Sequence, residues 1–271
     1  MSGIRRRTRS RLAIAGAALA AVLLAATGCS ADASAPAASP TPTKHAITGT
    51  ITVFAAASLT KTFTELGREF EKTNPGSTVT FSFAGSSDLV TQLTGGAPAD
   101  VFASADEKNM KKAIGAGVTG GDPVDFATNV LAIAVPPGNP AHITAWADLA
   151  KPGVKTVVCA PQVPCGAATA TVETNTGVKL SPVSQESSVT DVLGKVSSGE
   201  ADAGVVYVTD VKGAGKSVDS VPFPEAEGVV NTYPIVAIRQ GPNVTGAAAF
   251  IAYVTGPEGK KVLEAAGFGT P

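Results

Sequence analysis

From residue 50 to the C-terminus, short apolar runs alternate with stretches whose apolar residues recur every three or four positions. The run "TITVFAA" (50–56) predicts a strand, and Leu59, Phe63, Leu66 and Phe70 then fall on one face of a helix that begins at Ser58. "NPG" (74–76) ends that helix, and "TVTFSF" (78–83) predicts the next strand. "SSDLVTQLTGG" predicts a short helix with Leu89, Val90 and Leu93 inward, closed by two glycines. "ADVFASA" (99–105) reads as strand and "DEKNMKKAIGAG" as a polar helix. "VLAIAVPPG" (130–138), "VKTVVCA", "AGVVYVT" and "TYPIVAI" (232–238) are further strands. "SVTDVLGKVSSGE" predicts a helix with Val189, Val192, Leu193 and Val196 on one face, and two helices near 245–255 and 257–266 end the chain. Strands without polar alternation, separated by amphipathic helices, argue for mostly parallel sheets covered on both faces, which is the α/β class.

The first 28 residues stand apart from this pattern. Five arginines without an acidic residue precede the apolar run "LAIAGAALAAVLLAAT", the layout of a signal peptide and short for a membrane span. The run ends in "ATGC", which resembles the site at which bacterial lipoproteins are cleaved before a lipidated cysteine, here Cys29; Ala26 stands where leucine is more usual. Residues 29–47 would then be the lipidated cysteine and a small, polar, proline-rich tether in which His45 is solvated, holding the folded body on the outer face of the cell membrane.

Composition narrows the chemistry. Removing the five arginines of residues 1–28 from 21 basic groups leaves 16 against 22 acidic ones, a formal charge near −6 for the mature chain. No basic patch with interleaved aromatics suggests nucleic acid. Two cysteines remain, Cys159 and Cys165 in "VVCAPQVPCG"; in an exported chain this close pair predicts a disulfide, and without a nearby histidine or third cysteine it does not suggest zinc. A thiol-disulfide enzyme would need an exposed thiol of low pKa, and "CAPQVPC" offers neither redox spacing nor a basic neighbour. A serine hydrolase is equally poorly served: His142 is the only histidine of the body, and G-x-S-x-G and the P-loop are absent. Asp88, Asp100 and Asp106 lack metal-ligand spacing, and Asp100 reads as a carboxylate that hydrogen-bonds its own loop at the start of a strand.

Anion binding is better supported. "AAAS" at Ser58, "AGSSD" at Ser86 and Ser87, "CGAAT" after Cys165 and "QESSV" before Val189 each place small or hydroxylic residues at a helix start. Such turns supply free N–H donors and the positive end of a helix dipole. In an open α/β sheet they gather at the carboxyl ends of the strands, where ligands bind.

"ITVFAAASLT", "SFAGSSDLVTQLTGGAPADVFASAD" and "GVVYVTD" resemble the signature segments of molybdate-binding proteins, the extracytoplasmic components of molybdate ABC transporters; the likeness runs from about Ile51 to the "GFG" near the C-terminus. The resemblance implies a type II periplasmic-binding-protein-like fold, with one lobe of residues 48–128 plus 236–271 and another of residues 129–235. It implies a molybdate or tungstate oxyanion held between the lobes by hydroxyl and backbone donors of Ser58 and Ser86, backbone N–H groups of Cys165 and Val189, and the phenol of Tyr207. Cys165 departs from the alanine common in that family. The resemblance further implies a non-enzymatic monomer without a cofactor that delivers its ligand to a membrane permease. Another oxyanion such as sulfate is the alternative within the binding class.

Overall fold

The computed structural model describes residues 46–271; the leader, Cys29 and the tether read from the sequence lie outside the described residues. β1 (Gly49–Ala56) alternates its side chains so that Val53 and Ala55 enter one core and Phe54 another. A single 3-10 turn, Ala57–Leu59, separates it from α1 (Thr60–Thr73), so the helix begins two residues later than its apolar pattern suggests. Phe63, Leu66 and Phe70 of α1 pack on the sheet. β2 (Ser77–Ala84) runs parallel to β1, α2 (Ser86–Thr94) follows, and β3 (Val101–Ala103) pairs parallel on the other side of β1. α3 (Glu107–Gly115) is capped by Asp106, whose side chain accepts the Asn109 N–H.

The chain then crosses the molecule in β4 (Val124–Val135), which starts six residues before the apolar run that announced it. Its first half carries Asp125, Thr128 and Asn129, and polar residues of this kind hide a strand from an apolar search. β5 (Thr156–Cys159), α4 (Pro164–Thr176), β6 (Ser184–Glu186), α5 (Val189–Ser197) and β7 (Ala203–Tyr207) follow. β7 ends at Tyr207, and Val208 and Thr209 open α6 (Val208–Ala214) instead of continuing the strand. β8 (Asp219–Val221) lies against β4, β9 (Val230–Ala237) crosses back, and α7 (Val244–Thr255) and α8 (Pro257–Ala266) finish the fold.

The strands run in the order β2-β1-β3-β9-β4-β7-β5-β6, with β8 beside β4. Parallel pairs make up both outer parts, and the antiparallel pairs all involve β4 or β9. Helices cover the sheet as its apolar strands demand. α1, α7 and α8 close one core around Phe63, Phe250 and Tyr233, while α2 and α3 close a second, on the opposite face, around Leu89, Phe102 and Met110. A third core gathers Leu131 to Val229 around Trp146, Val205 and Tyr207, and takes in Ala57 from the far end of β1.

The place of Asp100 at a strand start suggests bonds to its own loop, but it bonds distant segments instead. It is buried, with Oδ2 accepting the Thr52 N–H at 2.7 Å and Oδ1 accepting the Asn243 N–H at 2.6 Å, so it joins β1 to the start of α7. Asp100→Ala strands two part-buried donors and should lower stability by about 2–4 kcal/mol. Urea denaturation measures this, and a loss below about 1 kcal/mol would remove the carboxylate from that role.

Candidate functional site

Ser58, Ser86, Cys165, Val189 and Tyr207 come from separate segments and line one small cavity. Ala56, Ala57, Gly85, Ala105, Val163 and Pro164 complete its wall, so no charged side chain lines it. Three of the five residues open helices. Ser86 is the first residue of α2; Gly85 accepts the Asp88 and Leu89 N–H groups, which leaves those of Ser86 and Ser87 ahead of the helical ladder. In α4 the first residue is Pro164, which has no N–H, so the helix's first donor is that of Cys165. Val189 opens α5 after the cap Ser188, whose Oγ accepts the Asp191 N–H at 3.2 Å.

Ser58 caps neither the 3-10 turn nor α1. It lies within the 3-10 turn, and its Oγ shares a 3.0 Å hydrogen bond with Tyr233 Oη, 175 residues away. Ser86 Oγ accepts the Ala105 N–H at 3.0 Å, which leaves its own proton for another partner. Tyr207 is fully buried, and its Oη is one of two buried side-chain polar atoms among the described residues without a hydrogen-bond partner; Trp146 Nε1 is the other. Burial, reinforced by Tyr233, Asp106 and Asp210 nearby, pushes the Tyr207 phenol well above its ordinary range, so it stays protonated and able to donate.

Close approaches hold the wall together. A Cβ on Gly85 would lie 2.2 Å from the Ser187 carbonyl oxygen, and one on Gly166 would lie 2.0 Å from that of Ala160. Only glycine lets α2 meet the segment before α5, and α4 meet the end of β5. Cys159 and Cys165 form the expected disulfide, with Cα atoms 5.7 Å apart, tying β5 to the first turn of α4.

A larger groove of about 360 Å³ adjoins the cavity at Ala57 and Ser58, with Lys61, Thr190, Asp210 and Lys212 on its walls. Both amines are turned to backbone carbonyls, Lys61 to Gly213 and Lys212 to Ala265. Asp210 accepts the Tyr207 N–H at 2.9 Å, and burial raises its pKa to about 7. Among the described residues no cluster of three or more His, Cys, Asp or Glu side chains could hold a metal ion.

Sequence reasoning missed three buried polar residues behind the cavity: Asn129, Asn231 and Tyr233. Asn129 Nδ2 donates to Tyr233 Oη at 3.3 Å and to Thr209 Oγ1 at 2.7 Å, and Asn231 Nδ2 donates to the Ala105 carbonyl at 2.9 Å. Their signal was available as asparagines immediately before the runs "VLAIAV" and "TYPIVA".

A small cavity ringed by helix starts and uncharged groups suits the binding of a small solute. Residues 51–269 match the family described as bacterial extracellular solute-binding protein. The chain is 51% identical over 221 residues to the molybdate-binding protein ModA of Mycobacterium tuberculosis, covering 82% of this chain and 85% of that one. It is 35% identical over 236 residues to ModA of Escherichia coli, covering 81% and 89%. The periplasmic molybdate-binding protein of Azotobacter vinelandii superimposes with a TM-score of 0.71 at 25% identity, over 82% of this chain and 99% of that one. The chain belongs to the ModA group of bacterial extracellular solute-binding proteins.

Asp210 gives a pH signature. Its pKa is about 7 when folded against 3.8 for the free side chain, so the folded state holds the extra proton between those values. Its contribution is intact below the lower pKa and is lost as pH rises from about 4 to about 7. Asp210→Asn keeps an acceptor for the Tyr207 N–H and removes the titration. The variant should gain stability relative to wild type by on the order of 2–4 kcal/mol across that window and hold a constant difference above it, as read by urea denaturation at a series of pH values. A difference independent of pH would mean that Asp210 titrates normally.

Proposed function

We propose that this protein captures molybdate, and tungstate of nearly the same size, outside the cytoplasm and passes it to an ABC permease. The observation that carries this reading is the convergence of Ser58, Ser86, Cys165, Val189 and Tyr207 on one cavity in which a buried phenol has no partner within the chain. We take the parts built on the separate cores as two lobes that close over the ligand, near the divisions 48–128 plus 236–271 and 129–235. The protein acts as a monomer without a cofactor, molybdenum entering only as the oxyanion, and is held to the membrane by lipid on Cys29.

Neutral donors suit this ligand. Burying a dianion forfeits its hydration, so several donors must replace the water together. Hydrogen bonds to a charged partner contribute roughly 1.5–3 kcal/mol each. About six of them reach roughly 9–18 kcal/mol before the costs of association and closure, enough for sub-micromolar binding without a cation. A donor-only shell also disfavours an anion that keeps a proton, because a P–OH group needs an acceptor. Sulfate, of the same charge and shape, must be rejected by size, and helix starts are rigid enough to do that.

Titration calorimetry with molybdate, sulfate and phosphate tests the reading. Tight molybdate binding that excess sulfate cannot displace is expected; heat from sulfate alone would move the protein to a sulfate transporter, and no heat from any anion would overturn the site. Ser58→Ala and Ser86→Ala should each weaken molybdate binding about tenfold or more with the fold intact. Tyr207→Phe should separate affinity from stability. It removes a donor to the ligand, so binding weakens by a similar factor, yet the ligand-free protein should melt no lower, because an unpaired buried hydroxyl is gone. A lower melting temperature with unchanged affinity would assign Tyr207 to the core alone.

A further inference from the structure

The direction of each hydrogen bond behind Ser58 follows from the donors and acceptors present. Asn129 lies on β4, buried, with its Oδ1 3.0 Å from the Val130 N–H. A backbone N–H only donates, so the atom facing it is the amide oxygen, and the amide nitrogen points the other way. That nitrogen has two hydrogens and meets two hydroxyls, Thr209 Oγ1 at 2.7 Å and Tyr233 Oη at 3.3 Å. Tyr233 therefore accepts from Asn129. Its own O–H, on a side chain with no exposed surface, has Ser58 Oγ as acceptor at 3.0 Å. Ser58 in turn accepts from Tyr233, and its proton is left to point into the cavity.

We propose that Asn129 and Tyr233 are positioning residues that hold Ser58 with its proton directed toward the bound oxyanion. The proposal rests on the cavity being an oxyanion site. Ser86 has an equivalent arrangement: Ala105 N–H fills an acceptor position of its hydroxyl at 3.0 Å, and Asn231 Nδ2 holds the Ala105 carbonyl at 2.9 Å. Asn129 and Asn231 are direct partners across the β4–β9 ladder, so one cross-strand pair stands behind both serines. A serine with one of its two lone pairs filled and its proton turned to the cavity accepts from hydrogen phosphate less readily than a free serine. Tyr233 thus bears on which anions the site admits as well as on how tightly it holds them.

A double-mutant cycle tests this by titration calorimetry on wild type, Ser58→Ala, Tyr233→Phe and the double variant, with molybdate and then hydrogen phosphate as the probe. Tyr233→Phe keeps a ring among Phe126, Tyr207 and Phe268, whose centroids lie 6.2, 6.1 and 5.5 Å from its own. It should weaken molybdate roughly threefold to tenfold while Ser58 is present and have no further effect once Ser58 is alanine. Its molybdate-to-phosphate affinity ratio should fall. Asn129→Ala supplies an independent arm and should weaken molybdate only while both Tyr233 and Ser58 remain. Losses that add across the cycle, or an unchanged anion ratio, would mean that Tyr233 supports the fold and not the serine, and would overturn the proposal. A wild-type protein that binds none of the anions would instead overturn the reading of the cavity, and this proposal with it.

Discussion

The pairing of β4 with β9 is the contact on which the other features depend. Six register pairs, from Val124–Ile235 to Val130–Val230, join two strands that each run from one core into another. Ala127, Tyr233 and Ile235 pack in the core around Phe63, while Leu131 and the rest of β4 pack around Trp146. A one-residue slip in this ladder would reverse which side chains face each core. It would also turn Asn129 and Asn231 away from the cavity they support. Buried amides in a central ladder are costly unless satisfied, and both make defined hydrogen bonds here, so the polar pair fixes register where an apolar pair would only add area.

Collecting donors from distant segments around so small a space demands close backbone approach. The cavity wall is correspondingly small: alanine at 56, 57 and 105, and glycine at 85, where any side chain would strike the Ser187 carbonyl. Helix starts then provide direction without mobile side chains. An N–H at the first turn of a helix is fixed by the whole helix, so it loses little freedom on meeting a ligand, whereas a lysine would have to be ordered and stripped of water. The two lysines near the cavity have their amines on backbone carbonyls, and the acids nearby, Asp106 and Asp210, both have pKa values raised by burial. The charge that matters in such a site is the ligand's own.

The fold was largely legible because buried strands and amphipathic helices leave strong periodic signals. The β1–β2 pair, the helices after them and the last two helices lie close to where their apolar patterns put them. The first half of β4 was not legible, since Asp125, Thr128 and Asn129 break the apolar run, and α6 was hidden by reading "YVT" as strand. The five cavity residues were read as a set through a family resemblance, because helix-start chemistry alone marks each turn without showing that the turns converge. Tyr233 stayed hidden for a different reason. A tyrosine in an apolar strand reads as core, and only its distance to Ser58 in three dimensions gives the hydroxyl another role.

Cys165 shows how one residue can meet two demands that conflict at the level of the side chain. As an alanine it would present the same N–H and leave the loop from β5 to α4 free. As half of a disulfide with Cys159 it closes a short loop, which stabilises the folded chain by roughly 2 kcal/mol in the loop-entropy picture. The bond also holds the first turn of α4 against the end of β5, where Gly166 already sits too close to Ala160 for any side chain. The side chain's bonding atom and the backbone donor are separate groups, so the crosslink constrains the N–H without consuming it. Rigid placement is what size selection among tetrahedral oxyanions requires, because a donor that can relax by a few tenths of an ångström accommodates the smaller anion as well as the larger. On the proposed reading of the cavity, the departure from alanine strengthens the site by fixing a donor that is otherwise held only by its helix.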